Sequence, residues 1–240
     1  MLKSKAGKKR VVLELGGNAG VIVEPDADLD HTADRCAVGG YAYSGQTCIS
    51  VQRVYVHESV YQTFLEKLVP RVGALKSGNP AEDSTVVGPL IDESAAKRVE
   101  AWIKEAAAAG AKVRVGGTRT GSVVDATVLT DVTPEMKVSC QEVFGPVVTV
   151  TPYVKFDDAL MGINDSPYGL QAGVFTSDIR KAFQSFRDLD VGAVLINEIP
   201  TFRADHMPYG GVKDSGLGRE GLRYAIEEMT EIKLLVLNLS

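Results

Sequence analysis

The sequence has 240 residues, of which 45% are hydrophobic, 24% charged and 7% aromatic. This composition is typical of a globular chain with one large or two modest domains, and it excludes disorder and a membrane span. A formal net charge of −5 repels polyanions, so neither nucleic acid nor a membrane surface is an expected partner. Three cysteines and three histidines fit neither a disulfide framework nor a zinc cluster, so reduced thiols, no metal and a cytoplasmic location are expected.

The first ten residues carry five basic side chains and are interpreted as a solvated tail or a frayed helix end. A secretory signal is not expected there. The apolar run Val11–Leu13 is followed by Glu14 and is far shorter than the roughly 7–15 apolar residues of a signal core.

Short β-branched runs alternate with longer amphipathic stretches, which predicts an α/β fold with an open, mostly parallel sheet and flanking helices. Helices are predicted, in chain order, at Asp30–Tyr43, Glu58–Leu75, Asp92–Gly110, Phe156–Asn164, Asp178–Leu189 and Glu220–Glu228. Besides short apolar runs at Val11–Leu15 and Gly20–Val23, strands are predicted at Gln52–His57, Lys112–Val115, Val147–Val150, Ala172–Phe175 and Ala193–Ile196. The last three strands lack alternation, which is typical of strands buried on both faces.

The C-terminal segment Glu231–Leu239 is predicted to be an isolated strand around the apolar run Leu234–Leu237. The edge of such a strand is exposed unless another sheet covers it. We therefore expect a homo-oligomer that forms through Glu231–Leu239.

Glycines at Gly216, Gly218 and Gly221 match the spacing of the dinucleotide-binding fingerprint GxGxxG. The fingerprint requires a strand that delivers the first glycine, whereas here Lys213–Ser215 precede it. The segment is therefore interpreted as a glycine-rich turn before a helix.

A lone cysteine is more often a small buried residue than a nucleophile, and Cys36 and Cys140 are interpreted in that way. Cys48 differs because it lies in a loop between a predicted helix and a predicted strand, after the segment Tyr41–Thr47. Such a loop can hold a reactive side chain both exposed and in a fixed position.

Five segments, in order, resemble the signatures of the NAD(P)-dependent aldehyde dehydrogenase superfamily. They are Leu13–Asn18, Gly45–Cys48, Gln141–Pro146, Pro208–Gly216 and Glu227–Lys233. The amino-acid sequence of Thr201–Met207 is most similar to that of family members that act on small hydroxyaldehydes such as lactaldehyde.

The resemblance implies that Cys48 is the nucleophile, forming first a thiohemiacetal and then a thioester, and that Glu14 is the base for release of the acid. Leu13 and Leu15 flank Glu14, which predicts burial and a raised pKa for this carboxyl. The backbone N–H of Cys48 is expected to hold part of the oxyanion.

The resemblance also implies NAD or NADP as cofactor, with Glu142 on the nicotinamide ribose and Phe144 beside the nicotinamide. A capping carboxylate and a core aromatic remain the alternatives for these two residues. Leu15 and Gly16 belong to the same expected cofactor site.

A substrate pocket is expected at Thr47, Ile49, Arg203 and His206, although a plain surface loop remains open for the last two. Thr47 stands where some relatives that act on phosphorylated aldehydes carry arginine, which argues against a phosphate substrate. Glu220 matches an acidic position implicated in proton relay.

A complete family member carries a Rossmann domain before the glutamate motif, so the resemblance implies that this domain is absent from the sequence. Residues 1–15 are then a tail and remnant of that domain, 16–218 the catalytic domain, and 219–240 a C-terminal helix and oligomerisation strand. Most cofactor determinants and the amide of the oxyanion hole are expected to be missing with it, so the isolated chain should be weak or inactive. The alternative is a non-enzymatic, truncated domain that folds and self-associates without cofactor.

Overall fold

The computed structural model describes residues 2–239. Its helices are α1 (Leu2–Lys5), α2 (Leu29–Tyr41), α3 (Glu58–Gly73), α4 (Glu93–Ala108), α5 (Lys137–Cys140), α6 (Phe156–Asn164), α7 (Ile179–Asp188) and α8 (Leu222–Met229). Its strands are β1 (Leu13–Glu14), β2 (Ala19–Val23), β3 (Val51–His57), β4 (Lys112–Val115), β5 (Arg119–Thr120), β6 (Val123–Val124), β7 (Thr127–Thr130), β8 (Val147–Tyr153), β9 (Tyr168–Gly169), β10 (Gln171–Phe175), β11 (Ala193–Ile196), β12 (Val212–Lys213) and β13 (Gly216–Leu217).

A seven-stranded sheet in the order β11-β10-β2-β3-β8-β7-β4 forms the centre of the fold. Every neighbouring pair in it is parallel except β4 and β7, which run antiparallel. The predicted α/β class with a mostly parallel sheet is confirmed.

Successive side chains of a strand point to opposite faces of the sheet, and strand β2 is covered on both of these faces. Val21 and Val23 pack in a cluster with α2 and α3, whereas Ile22 packs in a second cluster with α6. Burial on both faces explains the uninterrupted apolar run that this strand shows in the sequence.

Three aspartates begin helices by accepting hydrogen bonds from unpaired backbone N–H groups of the first turn. Asp28 caps α2 and Asp92 caps α4, with acceptor distances of 3.0 and 2.7 Å from the N–H groups of His31 and Ala95. Asp178 caps α7 in the same way. These caps place the helix starts within one residue of their predicted positions.

The prediction missed β7 and overstated the burial of β11. Strand β7 lies between β8 and β4, and all of its residues are buried. Its sequence, Thr127–Thr130, has two apolar residues between two threonines, which is too short a run to stand out from the neighbouring turns. Strand β11 is the outer strand of the sheet, so only Leu195 of its residues is fully buried.

The predicted strand at Glu231–Leu239 is not formed within this chain. The described residues of this segment have no regular secondary structure and no neighbouring strand, and the apolar side chains from Ile232 to Leu239 are 69–98% exposed. A single extended segment becomes a strand only when another backbone accepts and donates its hydrogen bonds.

The two ends of the chain meet on the surface. The guanidinium of Arg10 donates to the backbone carbonyl oxygens of Glu227 and Thr230 at 3.2 and 3.4 Å and pairs with Glu231 at 3.1 Å. A positive charge at the carboxyl end of α8 is favourable for the helix dipole. Within residues 2–239, none of the helices has both the length and the apolarity that a membrane crossing requires.

Leu68→Ala should lower the free energy of unfolding by about 2–5 kcal/mol, because this fully buried leucine of α3 leaves a cavity that its neighbours fill only in part. Urea titration followed by circular dichroism measures the loss. Leu2→Ala is the matched control, since Leu2 is 77% exposed, and it should change stability by less than about 0.5 kcal/mol. Equal losses from both variants would contradict the assigned core.

Candidate active site

The loop that carries Cys48 has a constrained backbone. It follows a short 3-10 turn in which Tyr43, Ser44 and Gly45 all have positive φ angles, of 52°, 58° and 69°. A Cβ atom at Gly45 would lie 2.1 Å from the carbonyl oxygen of Gly145, so only glycine lets these two loops approach. The loop then turns into β3, which places Cys48 near the start of a central strand.

The segment with the glutamate motif lies directly against Cys48. A Cβ atom at Gly17 would be only 1.9 Å from the carbonyl oxygen of Cys48. On its other side this segment forms β1, whose residue Glu14 is paired with Gly216 of β13. Glu14 is therefore held between the cysteine loop and the C-terminal motif.

Tyr209 joins the two residues that the sequence nominated. Its hydroxyl oxygen lies 3.1 Å from the sulfur of Cys48, and its side chain is close enough to Glu14 to lower the pKa of that carboxyl. The sequence analysis did not assign Tyr209 a role, although it stands inside the motif Pro208–Gly216. A buried tyrosine needs a polar partner, but the sequence does not reveal which groups supply it.

Two opposing influences act on the pKa of the Cys48 thiol. Burial raises the pKa most, and the negative charges of Glu14 and Glu142 add to that rise. The hydrogen bond from Tyr209 and the backbone N–H of Cys48 itself lower the pKa. The net result is that the pKa of the Cys48 thiol is raised above its ordinary value.

The other two cysteines have different surroundings. Cys36 is completely buried, which raises the pKa of its thiol to about 12, so it is an unreactive packing residue as predicted. The interpretation of Cys140 as a buried packing thiol is wrong, because Cys140 is only half-buried. It ends the short helix α5 at the surface, and its sulfur donates to the carbonyl oxygen of Glu135 at 3.5 Å.

The carboxyl of Glu14 has a raised pKa. Burial is the largest cause and the nearby Glu220 carboxylate is the second, while Tyr209, Arg203 and Arg219 oppose the rise. The raised pKa of Glu14 is as predicted, whereas the predicted burial is only partial, and the flanking Leu15 is half exposed. A carboxylate of this kind is a stronger base than an exposed one.

Arg203 covers the ring of Tyr209 and forms an ion pair with Glu220. The guanidinium of Arg203 lies 4.2 Å from the centre of the Tyr209 ring and pairs with the Glu220 carboxylate at 3.0 Å. His206 is exposed in the same loop and, within the described residues, makes no hydrogen bond or ion pair to these side chains.

The predicted pocket residues next to Cys48 lie in different surroundings. Thr47 is half-buried, whereas Ile49 is buried against Leu170 and Tyr209. Ile49 thus forms part of the wall behind the cysteine.

Glu142 and Phe144 lie on the other side of the cysteine loop. Glu142 accepts a hydrogen bond from the backbone N–H of Gly17 at 2.8 Å through one carboxylate oxygen, and the other oxygen has no hydrogen-bond partner among residues 2–239. A Cβ atom at Gly16 would lie 2.8 Å from that second oxygen. Phe144 has a φ of 48° and is 40% exposed, so it is not the core aromatic of the alternative interpretation.

The loop that carries Glu142 is tied to β3 by Gln52, a buried residue that the sequence analysis did not single out. Its amide nitrogen donates to the carbonyl oxygens of Val138 and Gln141 at 3.1 and 2.7 Å, and its amide oxygen accepts from the N–H of Val143 at 3.0 Å. The loop is therefore fixed relative to Cys48, four residues before Gln52 in the same segment.

These groups fit part of a nicotinamide nucleotide. A carboxylate oxygen without a protein partner can accept a hydrogen bond from a ribose hydroxyl, and the glycine beside it leaves room for that approach. An exposed aromatic ring next to it can pack on a flat heterocycle. The residues present thus suit the nicotinamide ribose end of the cofactor that the resemblance implies.

The sequence pattern of the Aldehyde dehydrogenase family matches residues 1–235 of this chain. The chain belongs to the aldehyde dehydrogenase family. It is 48% identical over 239 residues to the 3-sulfolactaldehyde dehydrogenase of Priestia aryabhattai, covering 100% of this chain and 50% of that protein. It is 43% identical to the lactaldehyde dehydrogenase of Methanococcus aeolicus, covering 99% of this chain and 51% of that protein. The chain thus spans about half the length of the curated relatives it matches.

Solved structures of the family share the fold. Aldehyde dehydrogenase 21 from Physcomitrella patens, in complex with the reaction product succinate, has a TM-score of 0.95 and 49% identity, covering 98% of this chain and 49% of that one. The NADP-dependent glyceraldehyde-3-phosphate dehydrogenase from Bacillus halodurans, complexed with NADP, has a TM-score of 0.96 and 39% identity, covering 100% and 50%. The family and the fold that the sequence motifs predicted are both confirmed.

Glu220→Gln should lower the pKa of Glu14, because it removes a nearby negative charge and frees Arg203, whose positive charge acts in the same direction. Carbon-detected NMR of the Glu14 carboxyl measures the titration midpoint, which should move to lower pH. Glu227→Gln is the matched control, since Glu227 pairs with Arg223 on the exposed helix α8, and it should leave the midpoint in place. A midpoint that rises or stays unchanged in Glu220→Gln contradicts this electrostatic account.

Proposed function

We propose that this chain carries the catalytic half of an NAD(P)-dependent aldehyde dehydrogenase that oxidises a small aldehyde to its carboxylic acid. The observation that carries the proposal is the meeting of a thiol and a carboxylate at one hydroxyl, that of Tyr209. Both are the residues that the family motifs nominate, Cys48 and Glu14. Packing alone would require neither a cysteine nor a glutamate at these two positions.

The first step is the addition of the Cys48 thiolate to the aldehyde carbon. An aldehyde does not release hydride until a nucleophile has added, and a thiolate adds well. A carbon–sulfur bond forms, the carbonyl double bond breaks, and the oxygen takes the electron pair. The backbone N–H of Cys48 donates to this oxyanion.

When bound, NAD or NADP supplies a nicotinamide ring that accepts the hydride from the substrate carbon. Glu142 would hold a hydroxyl of the nicotinamide ribose through its second carboxylate oxygen, and Phe144 would pack beside the ring. Leu15, half exposed, and Gly16 lie next to this position and leave space for it. Cys48 keeps the acyl group as a thioester.

Glu14 is the general base for hydrolysis of the thioester, which releases the acid. Its raised pKa makes it a stronger base than an ordinary glutamate, so it removes a proton from the attacking water as the water oxygen bonds to the acyl carbon. The carbon–sulfur bond then breaks and Cys48 is restored. Glu220, the second largest cause of the raised pKa, supports this base, and we propose that it takes part in the onward passage of the proton.

The substrate we propose is a small hydroxyaldehyde such as lactaldehyde. Relatives at 48% and 43% identity are named for 3-sulfolactaldehyde and lactaldehyde, which share a hydroxyl beside the aldehyde. Thr47, Arg203 and His206 would lie at the proposed mouth, with Ile49 in the wall behind Cys48. The donors of Arg203 and His206 suit a substrate oxygen. A cytoplasmic location stays a prediction of the sequence.

Cys48→Ala should abolish acylation by an activated aryl ester, which forms the same acyl thioester without hydride transfer. Cys36→Ala is the matched control and should react like the wild type, since Cys36 is completely buried. Glu14→Gln should be acylated but retain the acyl group. The burst of phenol release and the mass of the intact chain measure these steps, and equal loss from both cysteine variants would contradict the nucleophile.

Self-association is a second proposed property. The apolar side chains of Glu231–Leu239 and the α7 residues Phe183 and Phe186, beside the edge strand β11, are exposed. Exposed apolar side chains grouped in this way are typical of surfaces that a partner covers. We infer that the partner is a second copy, with Glu231–Leu239 as the pairing segment.

The double variant Leu235→Asp, Leu237→Asp should dissociate this oligomer, because charges in a covered apolar segment lose their hydration. Sedimentation velocity at several concentrations measures the change from oligomer to monomer. Ile91→Asp introduces a charge at another highly exposed apolar position and should leave the oligomer intact. A wild-type chain that sediments as a monomer contradicts the proposal.

A further inference from the structure

Tyr209 is held rigidly at the centre of the candidate site. Its backbone N–H donates to the carbonyl oxygen of Glu220 at 3.1 Å, and the N–H of Glu220 donates back at 2.6 Å. Its ring packs against Ile49 and Leu170 and lies under the Arg203 guanidinium. Only 5% of the residue is exposed, so the hydroxyl has little access to bulk water and must find its partners in the protein.

The hydroxyl has two acidic neighbours and one hydrogen to donate. It lies 3.1 Å from the Cys48 sulfur, and the nearby Glu14 carboxyl also acts on it electrostatically. Burial and both acidic neighbours raise the pKa of Tyr209 well above its usual value, so the phenol keeps its proton. It therefore acts as a donor throughout, and only the acceptor of its hydrogen bond can change.

The proposed reaction uses an anion on each of these neighbours at a different step, and acylation removes the charge of Cys48 between the two steps. Addition to the aldehyde needs the thiolate of Cys48, whereas hydrolysis of the thioester needs the carboxylate of Glu14. A hydrogen bond to an ionised group is about twice as strong as one between neutral groups. The single hydrogen of Tyr209 is thus drawn to whichever neighbour carries the charge.

We propose that Tyr209 is a shared hydrogen-bond donor that stabilises the Cys48 thiolate before addition and turns to the Glu14 carboxylate once Cys48 is acylated. The inference rests on the roles of Cys48 and Glu14 in the proposed function. It assigns Tyr209 a role in both chemical steps, since its hydroxyl contacts the reacting sulfur.

Other charged groups also face the two residues and set the background for this switch. Glu14 and Glu142 face Cys48, and both raise the pKa of its thiol. Glu220, Arg203 and Arg219 face Glu14, with the first raising its pKa and the two arginines lowering it. None of these groups contacts the sulfur as directly as the Tyr209 hydroxyl does, so removal of that hydroxyl isolates its contribution.

Tyr209→Phe should raise the pKa of Cys48 by about one unit or more, because the loss of a hydrogen bond to an ion costs more than one pKa unit is worth. The rate of alkylation by iodoacetamide, measured at Cys48 by peptide mass spectrometry between about pH 5 and pH 10, reports the pKa. At neutral pH the rate should fall about tenfold. Tyr61→Phe should leave the profile unchanged, because Tyr61 lies in α3 and its hydroxyl donates to the backbone carbonyl oxygen of Val150 in β8. Cys140 is an internal control in each sample.

A double-mutant cycle tests the turning of the hydroxyl. Glu14→Gln should lower the pKa of Cys48, because it removes a repelling charge and replaces a strong competitor for the Tyr209 hydrogen by a weaker one. In the Tyr209→Phe background only the repulsion remains to be removed, so the shift should be smaller. Equal shifts in the two backgrounds overturn the shared-donor proposal.

A second replacement covers the case in which Tyr209→Phe does not fold, as judged by circular dichroism. A fluorinated tyrosine at position 209 keeps the shape of the side chain but is a stronger acid and donor, so the pKa of Cys48 should fall. An unchanged or raised pKa overturns the proposal. The proposed function is contradicted if Cys48→Ala is still acylated by the aryl ester. If acylation at Cys48 is intact but the pH profile of Cys48 alkylation does not shift, only the role of Tyr209 is rejected.

Discussion

The contact between Gly17 and the carbonyl oxygen of Cys48 is the constraint on which the candidate site depends. No side chain fits in this contact, because a Cβ atom would lie 1.9 Å from the oxygen. The glutamate segment and the cysteine loop can therefore lie against each other, although they are separated in the chain by helix α2. From this contact follow the proximity of Glu14 to the cysteine and the position of Glu142, which accepts from the N–H of Gly17.

The sheet supplies the rigid base for this contact. The cysteine loop leads into β3 and the glutamate segment leads into β2, and these two strands are parallel neighbours in the centre of the sheet. Arg53 of β3, almost completely buried, donates to the carbonyl oxygen of Asn18 at 3.0 Å and to that of Ile163 at 3.1 Å. These hydrogen bonds fix the start of β2 and the end of α6 relative to β3.

Tyr209 extends the site beyond the two residues of the motifs. It belongs to a part of the chain far from Cys48 in sequence, and it arrives there because β13 pairs with β1 and because Tyr209 and Glu220 exchange backbone hydrogen bonds. A shared donor between the nucleophile and the base links the electrostatics of two successive chemical steps. The same side chain couples the site to the Arg203–Glu220 pair at its entrance.

Local sequence signals predicted several elements to the residue and missed others. Helix α6 and strands β4 and β11 have the predicted bounds, because periodicity and turn residues act over a few neighbouring positions. Strand β7 was missed, since its burial comes from β8 and β4 and not from its own pattern. The segment Glu231–Leu239 was predicted as a strand from its apolar run, but a strand needs a partner backbone that this chain does not offer it.

By itself the sequence determined the fold class, the family and the identity of the two chemical groups, since glycines, a cysteine and a glutamate at motif spacing carry that information locally. Only the tertiary structure decided the environment of those groups. The pKa of Cys48, the exposure of Cys140 and the position of Tyr209 beside the thiol all depend on residues that are distant in the chain. Burial and hydrogen bonding are properties of the packed molecule, so no local pattern encodes them.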